Sequence, residues 1–247
     1  MLSIPHGGQK NPPELNKSLC ISKQDLFDDI DPYVNEIYSL GDKVTKVIST
    51  EIARTFVDQN RSKDDLPPKN PDGVIKSMTC YGKPIYLDGM QPDEQLVNSL
   101  LSKYYETYHK QIQDALKLDI KFAFDCHSMA SKAPQIAPDT AQKQRPLFCI
   151  SNQEGKTCHD SDLKKLGNCI QVAFDISESE IKYNDPFKGG YLTKTYGHNP
   201  IPWVQIEMSR KMYLEEPWFD RANLSINKKR LEQLNGMFEK TLDLFFN

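Results

Sequence analysis

The chain reads as an α/β protein, a sheet with helices on its faces. Three observations say so: strand-like and helix-like apolar patterns alternate along it; one strand candidate is apolar on both faces; and the bulk suffices for a core. That bulk is 38% apolar residues, including 11 Phe, 11 Tyr and 2 Trp, in 247 residues.

Leu2 to Pro5 is the tail of a first strand. Val34 to Val44 carries Val34, Ile37, Tyr38 and Leu40 on one helical stripe, and Pro32 suits the first turn. Lys46 to Thr50 and Arg54 to Val57 are short strand candidates. Residues 60–93 turn polar and rich in Pro and Gly, a long connection of the kind that serves function. From Pro92 to Lys117, Leu96, Leu100, Tyr104, Tyr108, Ile112 and Leu116 recur every fourth position, as in a long amphipathic helix. Ile120 to Phe124 is the strand buried on both faces. Leu147 to Ile150 and Trp203 to Met208 are further strands, and Asp160 to Phe174 and Leu224 to Phe246 are helices.

The formal net charge is −3, and no long basic run provides the footprint of a nucleic-acid binder. No apolar stretch nears the roughly 20 residues of a membrane span. Six scattered cysteines without CxxC spacing are expected to be reduced thiols in a cytoplasmic protein.

Polar groups stand in or just beyond three strand candidates: His6, His127 and Glu207. Ligands of open α/β sheets bind at the carboxyl ends of strands, where residues distant in sequence converge. Pro5-His6-Gly7-Gly8 clears space around one imidazole. Asp125, two positions before His127, shares its strand face and can fix its tautomer. His109, His159 and His198 lack such a setting and are expected to serve packing or the surface. A hydrolytic zinc takes three protein ligands, so two histidines need a carboxylate. Gln9 occupies the His-x-x-Glu position, leaving Asp31 next in line, with a plain helix N-cap as its alternative role.

Arg54 through Asn60-Arg61 can gather donors around a carboxylate, or Arg61 can merely pair with Asp58 at the surface. Lys188-Gly189-Gly190-Tyr191 suits a loop closing over a ligand, or a simple turn. Glu207, flanked by Ile206 and Met208, needs a partner for its charge.

In this order, Ser3-Ile4-Pro5-His6-Gly7-Gly8, Asp29-Ile30-Asp31, Arg54 through Asn60-Arg61, Asp125-Cys126-His127-Ser128-Met129, Lys188-Gly189-Gly190-Tyr191 and Gln205-Ile206-Glu207-Met208-Ser209-Arg210 resemble the N-formylglutamate amidohydrolase family. The resemblance implies a three-layer α/β/α fold around a mixed sheet, like that of zinc carboxypeptidases. It implies one catalytic domain over 1–247, with a long loop insertion about 61–92. It makes His6, Asp31 and His127 ligands of one Zn2+ and Glu207 the general base. Arg54 would polarise the scissile carbonyl, and Asn60 and Arg61 would hold the α-carboxylate. The Lys188 to Tyr191 loop would contact substrate, with Lys188 or Arg210 answering a second carboxylate. Members near the histidine-degradation enzyme carry a His two positions after the Asp, where this chain has Tyr33.

The implied activity is zinc-dependent deformylation of a small N-acyl amino acid such as N-formyl-L-glutamate. The rivals are a zinc exopeptidase or N-acyl amino-acid deacylase taking a larger acyl group, and a non-catalytic carboxylate-binding protein on the same fold.

Overall fold

The computed structural model describes residues 1–134, 139 and 144–247. The strands of its main sheet are β1 (Leu2–Ile4), β2 (Val47–Ser49), β3 (Ala123–Met129), β4 (Phe148–Ser151), β5 (Ile181–Tyr183) and β6 (Trp203–Ser209), joined in the order β2-β1-β3-β6-β4-β5; Phe219–Asp220 and Ser225–Ile226 pair in a separate two-stranded sheet. The first four in space run parallel. β4 turns antiparallel to β6 and takes β5 along parallel to itself, so the sheet is mixed. The helices are α1 (Lys23–Asp29), α2 (Val34–Tyr38), α3 (Glu94–Leu100), α4 (Glu106–Ala115), α5 (Asp160–Phe174), α6 (Tyr191–Tyr196) and α7 (Lys228–Phe246).

Every residue of β3 and β6 is buried, because helices cover both faces. Side chains alternate along a strand, and the alternation sorts them here. Leu2, Ile4, Phe124, Cys126, Val204, Ile206 and Met208 join the core beneath α2, α5 and α7, while Met1, Ile48, Ala123 and Trp203 pack with α4 and α6. On this second face the pattern turns polar. Ser3, Asp125 and Gln205 lie side by side across β1, β3 and β6, and one pleat further on His127 lies opposite Glu207. Two apolar faces would have made a purely structural sheet; the polar row makes a site.

Several boundaries differ from the sequence expectation. Arg54 to Val57 is a helical turn, with the amides of Phe56 and Val57 both bonded to Ala53 O, because Ala53, Phe56 and Val57 bury together rather than alternate. The helix from Val34 stops at Tyr38, and Gly41 follows with φ of 58°. The long helix begins at its Asp93 cap and runs to Ala115, with one wider turn at Leu101–Tyr105. The buried strand starts at Ala123, not at Ile120. Three short elements, α1, β5 and α6, carry too few residues for a period to show.

The 61–92 connection is anchored from inside. Val74, Ile75, Ile85 and Tyr86 share a core with Leu15, Phe56, Leu100 and Tyr105. Lys76, 1% exposed, sits between Asp29 (3.1 Å) and Asp72 (2.6 Å).

Candidate metal centre and substrate cavity

His6 follows β1, His127 belongs to β3 and Asp31 lies in the link from α1 to α2. All three are buried, and their donor atoms form a triangle. His6 Nδ1 is 3.0 Å from His127 Nδ1, His127 Nδ1 is 3.4 Å from Asp31 Oδ2, and His6 Nδ1 is 3.7 Å from the same oxygen. Bonds of about 2.1 Å at tetrahedral angles hold donor atoms about 3.4 Å apart, so the residues present fit a zinc-sized cation.

The outer ring atoms agree with that fit. His6 Nε2 is 2.7 Å from Asp58 Oδ1, and His127 Nε2 is 3.2 Å from Asp125 Oδ1. If each Nε2–H donates to its carboxylate, both Nδ1 lone pairs point at the shared centre, the arrangement that orients histidines at metals. Asp31 is oriented as firmly: Oδ2 accepts from Ser128 N–H (2.9 Å) and Oδ1 from Arg210 Nη2 (3.0 Å). Asp31 is therefore not the helix cap, a position Tyr33 occupies. Tyr33 turns its hydroxyl away to Leu224 O.

The electrostatics favour a cation. Burial opposes charge at Asp31, yet bonds to His127 and His6 and the field of Arg210 hold it well below the usual carboxylate range. Asp58 is likewise held low against burial by Arg54 and His6. His127 is raised well above the usual imidazole range, because Asp125 and Asp31 outweigh its burial. Glu207, 7% exposed and opposite His127, is pushed up to about 7 by burial, with His127 opposing and Asp31 adding.

The expected ligands His6, Asp31 and His127, the expected base Glu207, and Arg54, Asn60, Arg61, Arg210 and the Lys188 to Tyr191 loop all line one cavity of about 1040 Å³. Their contacts within it differ from those expected. Arg210 Nε donates to Ser128 Oγ, Nη1 to Asp28 O, and Nη2 to Ile30 O and Asp31, so this arginine, at the cavity wall, braces the candidate metal ligand Asp31. Arg54 Nη2 donates to Asp58 Oδ2 (2.7 Å), while its buried Nε has no hydrogen-bond partner among the described residues. Arg61 pairs with Asp72 (2.7 Å) and only distantly with Asp58 (3.8 Å). Asn60 Oδ1 accepts from Leu192 N–H (2.8 Å), and its Nδ2 is 3.2 Å from His127 Nε2. Lys188 keeps one exposed partner, Glu154.

Three residues escaped the sequence reading. Asp58, for which a surface pair with Arg61 was one alternative, is wholly buried between His6 and Arg54; its place directly after Phe56-Val57 is the available signal. Gln205 bonds to the candidate base Glu207, as its spacing of two on one strand allows. Arg145, buried at the cavity wall against Asp139 and Phe187, carries no sequence signal at all.

A family model described as N-formylglutamate amidohydrolase matches residues 1–214. Two curated relatives, N-formylglutamate deformylases of Pseudomonas aeruginosa and Pseudomonas putida, are each 25% identical over 237 residues, covering 91% of this chain and 86% of theirs. The crystal structure of N-formylglutamate amidohydrolase from Ralstonia eutropha JMP134 superposes with a TM-score of 0.81 at 19% identity, over 99% of this chain and 92% of that one. A gene product of Agrobacterium tumefaciens follows at 0.65 and 15%, over 99% and 89%. These likenesses show a shared fold, the α/β architecture expected from the sequence.

Proposed function

The chain belongs to the N-formylglutamate amidohydrolase family, and we propose that it hydrolyses the N-formyl amide of an acidic amino acid such as N-formyl-L-glutamate, as one catalytic domain over 1–247 with the 61–92 insertion walling its cavity. The observation that carries the reading is the triangle of His6, Asp31 and His127 donors one strand away from a buried, cavity-lining glutamate. His6, Asp31 and His127 would hold one zinc ion. When bound, zinc supplies Lewis acidity, which brings the pKa of water from about 15.7 towards about 7.

Glu207 accepts the proton of the attacking water and returns it to the leaving amine, so that formate and the free amino acid are released. A carboxyl whose pKa lies near neutrality suits both halves of that transfer. The Nε of Arg54, without a partner among the described residues, is a donor available to the developing oxyanion. Asn60 and Arg61 take the α-carboxylate, and the loop of Lys188, Gly189, Gly190 and Tyr191 covers the substrate. Lys188, whose present partner is exposed and easily exchanged, is left for the second carboxylate. Six free cysteines suit a reducing cytoplasm.

The test pairs metal analysis of the purified protein with turnover of N-formyl-L-glutamate. Stoichiometric zinc, activity lost on chelation and restored by zinc, and a roughly 10²- to 10⁴-fold lower kcat in Glu207→Gln with its metal retained are expected. Near-normal turnover by Glu207→Gln refutes the base. Preference for acetyl or dipeptide substrates in a parallel panel would make the protein a deacylase or exopeptidase for larger acyl groups. Carboxylate binding without hydrolysis by the fully loaded protein would make it a binding protein.

A further inference from the structure

Gln205 makes two hydrogen bonds whose directions are not interchangeable. Its Oε1 accepts from the backbone N–H of Gly190, and its Nε2 donates to Glu207 Oε1 at 2.8 Å. A peptide N–H can only donate, so the Gly190 amide forces the carbonyl end of Gln205 towards itself and the NH2 end towards the glutamate. The residue is 3% exposed, and among the described residues its side chain makes these two bonds alone.

Gly190 is itself held in place. A Cβ there would lie 2.3 Å from Asn60 Nδ2, and the carbonyl of the preceding Gly189 accepts from Gln153 Nε2. The loop leading into α6, Gln205 and Glu207 thus form one hydrogen-bonded unit running from the wall of the cavity to the candidate base.

We propose that Gln205 is a positioning residue that assigns separate tasks to the two oxygens of Glu207. The inference rests on the reading of Glu207 as the base. Oε1, already an acceptor from an NH2 group, stays unprotonated. Oε2, which has no hydrogen bond among the described residues, carries the proton. As an O–H bond of water breaks and the new C–O bond forms at the acyl carbon, the proton passes to Oε2; as the C–N bond breaks, it passes from Oε2 to the amine nitrogen. Because Gln205 hangs from Gly190, the loop over the substrate and the aim of the base are set together.

The test compares Gln205→Glu and Gln205→Met with wild type and with Glu207→Gln, with zinc content and Tm recorded for each. Gln205→Glu keeps the acceptor for Gly190 but places a carboxylate beside Glu207, whereas Gln205→Met removes both bonds and conserves volume. Loss of base alignment is expected to lower kcat by about tenfold to a hundredfold with KM within about threefold and zinc content unchanged, Gln205→Glu falling below Gln205→Met. Turnover within about twofold of wild type in Gln205→Met overturns the inference, as does a loss that follows zinc content or Tm. If Glu207→Gln is inactive while the Gln205 variants turn over normally, the inference fails and the base survives; an active Glu207→Gln, or a wild type that hydrolyses no N-acyl amino acid, removes both.

Discussion

At the scale of the residue, burial decides what each ionisable group can do, and His109 shows it away from the cavity centre. The ring on α4 is 8% exposed, with Nδ1 2.8 Å from Tyr196 Oη and Nε2 3.1 Å from Gln59 O, so the neutral tautomer donates to the peptide that precedes Asn60. Burial, opposed by the bond to Gln59, pushes its pKa down from 6.5 to about 4. Between those values the unfolded chain binds a proton that the folded chain refuses. Stability is therefore fully present above about pH 6.5 and is lost as pH falls towards 4, by about 3 kcal/mol for a shift of this size. His109→Gln should show a smaller loss of unfolding free energy than wild type between pH 7 and 4 in urea titrations. Identical pH slopes would remove His109 as the cause.

At the scale of the element, a buried carboxylate joins segments outside the sheet beside the site. Asp29, the last residue of α1, accepts from Thr55 Oγ1 (2.7 Å), from Cys80 N–H (2.7 Å) and from Lys76, so the helix, the turn after Ile52 and the 61–92 segment meet at one carboxylate. Despite burial, Lys76 and Arg54 keep Asp29 ionised, with a pKa lowered to about 2. Lys76→Met would leave Asp29 as a buried charge short of its partner. Such breaks cost about 3–5 kcal/mol, and chemical denaturation should register a loss of that size. A change below about 1 kcal/mol would mean that the apolar packing of Val74, Ile75 and Ile85 anchors the segment alone.

For the whole molecule, the candidate metal centre ties together the end of β1, the α1–α2 link and β3, which are 25 to 121 positions apart along the chain. A ligand that binds only the folded state stabilises it by about 2.7 kcal/mol at a concentration 100-fold above its Kd. A chain of this length gains roughly 2–4 °C in Tm per kcal/mol, so chelation should lower Tm by roughly 5–10 °C, with recovery on adding zinc. Calorimetry on loaded and stripped protein measures this directly; coincident transitions would argue against a resident ion.

Much of the fold and the cast of the site is local information. Apolar periods mark β3, β6, α5 and α7, because a strand or helix that must bury one face repeats at its own spacing whatever its neighbours are. His6, just after β1, and His127, towards the carboxyl end of β3, meet where open sheets bind their ligands. Shorter elements leave no period, and a helical turn such as 54–57 imitates the alternation of a strand. Partner choice was decided only in three dimensions. Arg210 and Asp31 are 179 positions apart, yet their contact braces a candidate metal ligand; Asp58 turns inward to His6, 52 positions away. A hydrogen bond depends on which groups lie within about 3 Å of one another, and that is set by how strands and loops pack, which no spacing along a single chain encodes.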